Sequence, residues 1–169
     1  TAGTPYNYGL GHSMYVSGSD VYVAGYFANQ NLGSFTACYW KNGHQVTLSD
    51  STTSIAEARS IFVAGNDVYV GGQVHPGLGL GGVQIATYWK NGKAVSLTNG
   101  PAWACVFSIY VDGSDVYAAG YEENNTTGGS VAKYWKNGVS FSLPSVDGYN
   151  SAQSIYVLGN DVYVAGSGS

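Results

Sequence analysis

Charged side chains are scarce in this sequence of 169 residues. They account for 9% of it, against about 25% in ordinary globular domains. Six residues are Lys or Arg, the formal net charge is −4, and three of those six cations recur in one repeated segment. Because no basic patch remains to neutralise phosphates, the sequence argues against nucleic-acid binding. Polarity comes instead from hydroxyl and amide side chains, which are common in secreted proteins, so we expect an extracellular or cell-surface protein.

Cysteines and long apolar runs are also few. Cys38 and Cys105 are too few for a disulfide framework, and they fall on predicted strands two repeat units apart. We therefore expect both to be unpaired and buried as small apolar side chains. No apolar run approaches the length of a membrane span. The chain starts at Thr1 in the middle of a pattern, without a signal peptide, as a mature product or a cut fragment would.

What the sequence has in abundance is an internal repeat. A first block lies at 13–16, 60–63, 108–111 and 154–157, and it reads Ser, an apolar residue, an aromatic residue and Val. Its serines are therefore 47, 48 and 46 residues apart. A second block, Asp-Val-Tyr followed by Val or Ala, lies at 20–23, 67–70, 115–118 and 161–164. A third block, Tyr-Trp-Lys-Asn-Gly, lies at 39–43, 88–92 and 134–138, and each copy precedes a short alternating run at 46–48, 95–97 and 141–143.

Each unit predicts four strands, A to D, because its short segments are rich in Val, Ile, Tyr and Trp and are separated by Gly, Asn and Asp. The A–B link begins with Gly, which tolerates the positive φ of a tight turn. The C–D link contains Asn-Gly, which favours a type I′ hairpin turn. No segment has a helical period. Four antiparallel strands every 46–48 residues lie between the periods of two known classes of β-propeller repeat.

The predicted fold is therefore all-β: a β-propeller made of four-stranded antiparallel blades, with about three and a half blades in this chain. Residues 1–169 would form a single partial domain, with units at about 10–56, 57–104 and 105–150 and a half unit at 151–169. Propellers close into rings, so we expect either a longer chain or a ring that self-association or another chain completes.

The blocks together resemble bacterial secreted or surface β-propeller repeat proteins, whose units read roughly Ser-Ile-Tyr-Val-x-Gly-x-Asp-Val-Tyr-Val-Ala-Gly, then Tyr-Trp-Lys-Asn-Gly, then Leu. The resemblance covers nearly the whole chain and implies the fold and an extracellular location. It implies no activity and no catalytic residues, because propellers serve as lectins, enzymes, scaffolds and adhesins alike.

Residues that recur in every unit are best explained by the fold. Trp40, Trp89 and Trp135 are expected to pack between blades. The recurring aspartates are expected to cap the A–B turns, because one carboxylate per turn is too few for Ca²⁺; they are Asp20, Asp67, Asp115 and Asp161. The lysines beside the Asn-Gly turns are expected to be solvated; they are Lys41, Lys90 and Lys136.

Chemical motifs are absent from the rest of the sequence. No zinc-protease, serine-hydrolase or phosphate-binding motif appears, and the Gly-rich segment 77–82 leads into no predicted helix. Adjacent Glu122 and Glu123 are interpreted as solvated loop charges. His12 and His75 would need a third donor to hold a metal, so we expect no metal and no cofactor. Two overlapping glycosylation sequons begin at Asn124 and Asn125 in a B–C loop.

Variation among the units points to one face of the disc. The A–B and C–D turns lie at one end of a four-stranded meander and are nearly identical in every unit, whereas the B–C and D–A links at the other end differ. Loops on a rigid scaffold are where binding concentrates. The candidate ligand-binding residues on that face are Tyr8, His12, Tyr26, Arg59, His75, Trp103, Tyr121, Tyr149 and Gln153. The alternative is that these large residues cap the core and that Glu57 pairs with Arg59.

Three functions remain open. The leading hypothesis is a non-catalytic secreted module that binds a glycan or a protein, because aromatic rings beside hydroxyl and amide groups suit either ligand. The second is a structural subunit of an extracellular assembly or filament joined through exposed blade edges. The third, a propeller hydrolase or lyase, is disfavoured because the acidic residues outside the repeat show no catalytic arrangement.

Overall fold

A computed structural model describes residues 7–29, 34–49, 54–76, 83–126, 128–144 and 148–168. These residues form β-strands and connecting turns. In chain order the strands are β1 (Asn7–Ser17), β2 (Asp20–Asn29), β3 (Ser34–Lys41), β4 (His44–Thr47), β5 (Ser54–Ala64), β6 (Asp67–Pro76), β7 (Ile85–Lys90), β8 (Lys93–Ser96), β9 (Ala104–Asp112), β10 (Asp115–Glu123), β11 (Ser130–Lys136), β12 (Val139–Ser142), β13 (Asn150–Leu158) and β14 (Asp161–Gly168).

The strands form antiparallel meanders that follow the repeat. Blade 1 is β1–β4, blade 2 is β5–β8 and blade 3 is β9–β12, and the pair β13–β14 forms blade 4. The first strand of each blade contacts the first strand of the next, whereas β4, β8 and β12 are exposed along their whole length. The A strands are therefore innermost and the D strands outermost. The predicted all-β propeller of four-stranded antiparallel blades is confirmed.

The hairpin turns have the backbone that their residues demand. At the C–D turn of blade 1 both Asn42 and Gly43 have positive φ, at 50° and 82°, and blades 2 and 3 repeat this pair within a few degrees. Two positive values identify the type I′ turn that the Asn-Gly dipeptide predicts. In the A–B turn only the glycine, such as Gly18, has positive φ. Local sequence is enough to fix these turns.

The turn aspartates link the two turns of a blade. Asp20 accepts a hydrogen bond of 2.8 Å from the amide of Asn42, whose carbonyl oxygen accepts one of 2.9 Å from Val21 N. Lys41 forms an ion pair of 2.8 Å with the same carboxylate and lies 5.2 Å from the ring centre of Tyr22. The hydrogen bonds from Lys41 and Asn42 hold the pKa of Asp20 below its usual range. Blades 2 and 3 repeat the arrangement.

The expectation that these lysines are solvated is confirmed, since the side chains of Lys41, Lys90 and Lys136 are 44%, 46% and 41% exposed. Each is also held against an aspartate and a tyrosine ring of its own blade, which was not predicted. The sequence shows the three residue types at a fixed spacing. It does not show that strand pairing brings the A–B and C–D turns side by side.

A β-bulge interrupts each innermost strand at the same place. In blade 3, Val106 pairs with Gly120 and Ser108 pairs with Ala119, so Phe107 has no partner across the ladder. The residues left unpaired in the other blades are His12, Arg59 and Gln153. A bulge re-aims a side chain and bends its strand. The residue before each strand-A serine therefore projects differently from its neighbours.

Blades pack face to face through the residues that the repeat shares. Trp89 and Trp135 are each 1% exposed and belong to the buried clusters at the blade 1–blade 2 and blade 2–blade 3 junctions. The predicted packing role is confirmed for these two, and Trp40 is half-buried on blade 1. Two strand-A serines add a link between blades, since Ser60 Oγ accepts a hydrogen bond of 3.1 Å from Ile109 N and Ser108 Oγ accepts one of 3.2 Å from Ile155 N.

Both cysteines are unpaired and buried, as expected. Burial raises the pKa of the Cys38 thiol to about 11 and that of Cys105 to about 12. The thiolate is the reactive form, so we expect neither thiol of the folded protein to react with a disulfide reagent at about pH 8. Both should react together when denaturant unfolds the chain. Rapid reaction of one thiol in native buffer would contradict its burial.

Candidate functional site

A cleft of about 540 Å³ lies between blades 3 and 4 at the variable end. This is within the range of small-molecule sites. We call it the blade 3–blade 4 cleft. It is lined by Trp103, Phe107, Tyr121, Glu123, Ser130, Tyr149, Asn150, Ser151, Gln153, Ser167 and Gly168.

Aromatic rings form the apolar walls of the cleft. Trp103 and Tyr149 precede the A strands of blades 3 and 4 and are 41% and 68% exposed, so each has a ring surface open to a ligand. Phe107 and Tyr121 pack together with ring centres 5.7 Å apart. Phe107 reaches this position because it is the bulged residue of β9. The cleft thus has two exposed rings and two packed ones.

Neighbouring residues fix two of these rings. The Tyr121 hydroxyl donates a hydrogen bond of 3.1 Å to Gln84 Oε1, and burial raises its pKa to about 12, so it stays neutral. The His75 ring meets Trp103 edge to face at 5.9 Å. These contacts hold Tyr121 and Trp103 in place before a ligand arrives, which lowers the entropic cost of binding.

Polar groups lie along the blade 4 side of the cleft and at its blade 3 edge. Ser130 Oγ donates to Asn150 O at 2.8 Å and accepts from Asn150 N at 3.0 Å, which ties blade 3 to the start of β13. Gln153 Nε2 donates to Ser151 Oγ at 2.8 Å. Glu123 is half-buried and lines the cleft from the end of β10. The site therefore offers a carboxylate, an amide and hydroxyls beside exposed rings.

A second aromatic cluster lies at the variable end of blade 1. The Tyr26 ring is 6.4 Å from Tyr8, 5.7 Å from His12 and 4.9 Å from Phe35, measured between ring centres. Burial lowers the pKa of His12, and the charge of Arg59 lowers it further. His12 is therefore neutral at neutral pH and acts here as an aromatic ring.

Arg59 lies at the junction of blades 2 and 3. Its guanidinium is 2.6 Å from Glu57 Oε2 and 5.6 Å from the Phe107 ring centre. For Arg59 the structure therefore agrees with the alternative interpretation, in which this residue pairs with Glu57. The equivalent place at the next junction is open, because Phe107, Tyr121 and Gln84 are replaced there by the smaller Gln153, Ser167 and Ser130.

The nine candidate residues thus fall into separate places. Four line the blade 3–blade 4 cleft: Trp103, Tyr121, Tyr149 and Gln153. Tyr8, His12 and Tyr26 form the blade 1 cluster, and the His75 ring packs against Trp103. Arg59 is paired with Glu57 at the blade 2–blade 3 junction. The units' shared register placed them all on one end, but it did not say which junction would be open.

The interpretation of Glu122 and Glu123 as solvated loop charges is wrong. Both lie on strand β10, where Glu122 pairs with Lys133 and Glu123 lines the cleft. Strand alternation was the signal that could have found Glu123, since it lies two residues after Tyr121 and so on the same face. Ser130, Asn150, Ser151 and Ser167 were also missed, because short polar side chains in a repeat have no distinctive pattern.

Other sequence features are described only in part. Asn124 Oδ1 accepts a hydrogen bond of 3.0 Å from Thr126 N just after β10, and Asn125 is exposed. The second sequon includes Thr127, and the Gly-rich segment 77–82 falls in a gap, so both lie outside the described residues. Within the described ranges, no group of three or more His, Cys, Asp or Glu side chains is placed to hold a metal ion. The same ranges contain no helix with the length and hydropathy of a membrane-spanning segment.

Comparison with known proteins gives a likeness of fold. No protein-family model and no curated protein sequence matches the chain. Among solved structures, it is similar to a fucose lectin from Kordia zhangzhouensis, determined in complex with methyl-fucoside. The TM-score is 0.55 at 14% sequence identity, and the alignment covers 80% of this chain and 99% of the lectin chain. At this identity the match establishes the β-propeller architecture.

Proposed function

We propose that this protein is a glycan-binding module and that the blade 3–blade 4 cleft holds the sugar. The exposed rings of Trp103 and Tyr149 on either side of one polar cleft carry this proposal. The C–H face of a pyranose packs on an aromatic ring, and its hydroxyls need hydrogen-bonding groups at the ring's edge. Glu123, Ser151 and Gln153 supply such groups. The likeness of fold to a lectin supports the same ligand class.

A neutral sugar fits the cleft better than a charged peptide does. Among the described lining residues, Glu123 is the only carboxylate, and that lining includes no Lys or Arg. A basic segment would have one counter-charge and an acidic segment none. Hydroxyl groups, in contrast, can both donate to the carboxylate and accept from the amide of Gln153.

The same lining favours binding over hydrolysis. Most glycosidases need a pair of carboxyl groups on opposite sides of the bond that they cleave. Among its described lining residues the cleft supplies one, Glu123. Glu122, the next residue along β10, is held by Lys133. We therefore propose a lectin-like role without catalysis, outside the cell as the uncharged polar composition favours.

Glycan binding by the wild-type protein and by Tyr149→Ala and Trp103→Ala variants tests the proposal. A glycan array identifies the sugar, and calorimetry then measures the Kd. We expect each variant to bind at least about tenfold more weakly, because each loses one stacking ring. Both side chains are exposed, so the variants should keep the wild-type unfolding temperature.

Tyr163→Ala is the matched control. Tyr163 is 54% exposed on the same blade but does not line the cleft, so its removal should leave the Kd unchanged. Full-strength binding by both cleft variants would refute the site. A wild-type protein that bound no glycan would refute the function.

A further inference from the structure

Among the described residues, no strand pairs with the outer edge of β14. In blades 1 to 3 the corresponding edge of the second strand pairs with the third strand, which ends in Tyr-Trp-Lys. An open edge presents unpaired N–H and C=O groups in a row. Three further features at this edge specify what would cover it.

The first feature is a cavity of about 220 Å³ beside β14. Its apolar lining includes Ala132 and Leu143 from blade 3 and Ala152 and Val164 from blade 4. One repeat unit earlier, the positions that correspond to these four are Ala86, Leu97, Val106 and Ala118. Two units earlier they are Ala37, Leu48, Ala58 and Val70.

Those corresponding positions surround a tryptophan in both complete junctions. Trp135 shares one cluster with Ala86, Leu97, Val106 and Ala118. Trp89 shares another with Ala37, Leu48, Ala58 and Val70. The cavity beside β14 is therefore lined by the same four positions that pack around an indole twice elsewhere in the molecule.

The second feature is Asp161 at the start of β14. Its equivalents Asp20, Asp67 and Asp115 each bind the Lys and the Asn of a Lys-Asn-Gly turn. Within the described part of the chain, Asp161 has no such partner and is exposed. A Lys-Asn-Gly turn would supply both partners.

The third feature is Tyr163. Tyr22, Tyr69 and Tyr117 are 4–6% exposed, and each ring has a lysine ammonium 5.1–5.2 Å from its centre. Tyr163 occupies the same position and is 54% exposed. In the three complete blades the tyrosine at this position pairs directly with that lysine across the strands.

We infer that β14 is a docking edge for a fourth β-hairpin of this repeat's own chemistry: a strand ending in Tyr-Trp-Lys, an Asn-Gly turn and a short returning strand. Such binding is strand addition, in which backbone hydrogen bonds give affinity and side-chain pockets give specificity. The shared register sets the alignment, with Trp opposite Val164 and Lys opposite Tyr163. The three hairpins of residues 34–47, 85–96 and 130–142 are paired within their own blades, so none of them is the donor.

A synthetic peptide of residues 130–144 tests the inference on the whole protein. We expect saturable one-to-one binding in fluorescence anisotropy, with new amide-exchange protection on 161–168. The same peptide carrying Trp135→Ala should bind at least tenfold more weakly because the indole cavity stays empty. An Asp161→Ala protein should bind the parent peptide several-fold more weakly, and since Asp161 is exposed this variant should fold normally.

A fused hairpin removes the dependence on peptide solubility. Residues 130–144 joined after Ser169 by a flexible linker should raise the unfolding temperature, and the fusion with Trp135→Ala should not. Equal binding by both peptides, protection outside β14, or failure of both peptide and fusion would overturn the inference. Glycan affinity is not read in any of these experiments, so this inference and the proposed function can fail separately.

Discussion

Replacing Gly120 with alanine is expected to destabilise the protein by about 3 kcal/mol, in the range of severe overpacking. Gly120 lies on β10 opposite the bulge of β9, where the added Cβ would be 1.8 Å from the carbonyl oxygen of Cys105. The Cβ is attached directly to the β10 backbone and the oxygen belongs to the β9 backbone. Strand pairing holds both backbones, so neither atom can move without breaking ladder hydrogen bonds. Chemical denaturation measures the loss of unfolding free energy.

Gly100→Ala is the matched control, because a Cβ there meets nothing within 4 Å and the backbone needs no positive φ. That substitution should change stability by less than about 0.5 kcal/mol, as surface changes usually do. If both variants unfolded at the same denaturant concentration, close approach of the two backbones would not be what requires glycine at position 120.

The same close approach recurs in every blade, at Gly25, Gly72 and Gly166. Each glycine lets the innermost strand bulge, and each bulge presents one residue that the ladder does not constrain. Phe107 and Gln153 are two of these, and both line the blade 3–blade 4 cleft. A backbone requirement of the fold thus creates the positions at which the proposed binding site varies.

What could be predicted from the sequence is what local chemistry fixes. The Asn-Gly and Gly-led turns depend on the residues within them, so strand order and blade architecture follow from the repeat. The Asp-Asn-Lys link was missed in part because its partners come from two turns about twenty residues apart, such as Asp20 and Asn42. The sequence contains these residues, but their contact becomes apparent only when the strand pairing is known.

The cleft was harder to predict because it depends on which junction is filled. At the blade 2–blade 3 junction Arg59 lies over Phe107, and Gln84 bonds to Tyr121. One junction later Phe107, Tyr121 and Gln84 are replaced by the smaller Gln153, Ser167 and Ser130. The difference between a packed junction and an open cleft lies in the volume of these side chains.

Trp135→Ala is expected to cost about 3–5 kcal/mol of unfolding free energy, the usual range for truncating a buried Trp. Trp135 is 1% exposed between blades 2 and 3, and it packs with Ala86, Ala104 and Ala118, small residues that cannot expand to fill the space. Its indole N–H is buried with no acceptor among the described residues. Its loss therefore removes no hydrogen bond, and the whole cost is packing.

Trp40→Ala tests whether that cost comes from the blade junction or from the motif itself. Trp40 holds the same place in the Tyr-Trp-Lys-Asn-Gly block and the same register against its second strand. It is only half-buried, however, beside an open groove lined by Gly9, Gly11 and Val23. Because burial sets the transfer term, Trp40→Ala should cost less than half as much as Trp135→Ala in the same denaturation experiment. Equal costs would mean that each tryptophan stabilises its own blade, and that packing between blades contributes little to the stability of this propeller.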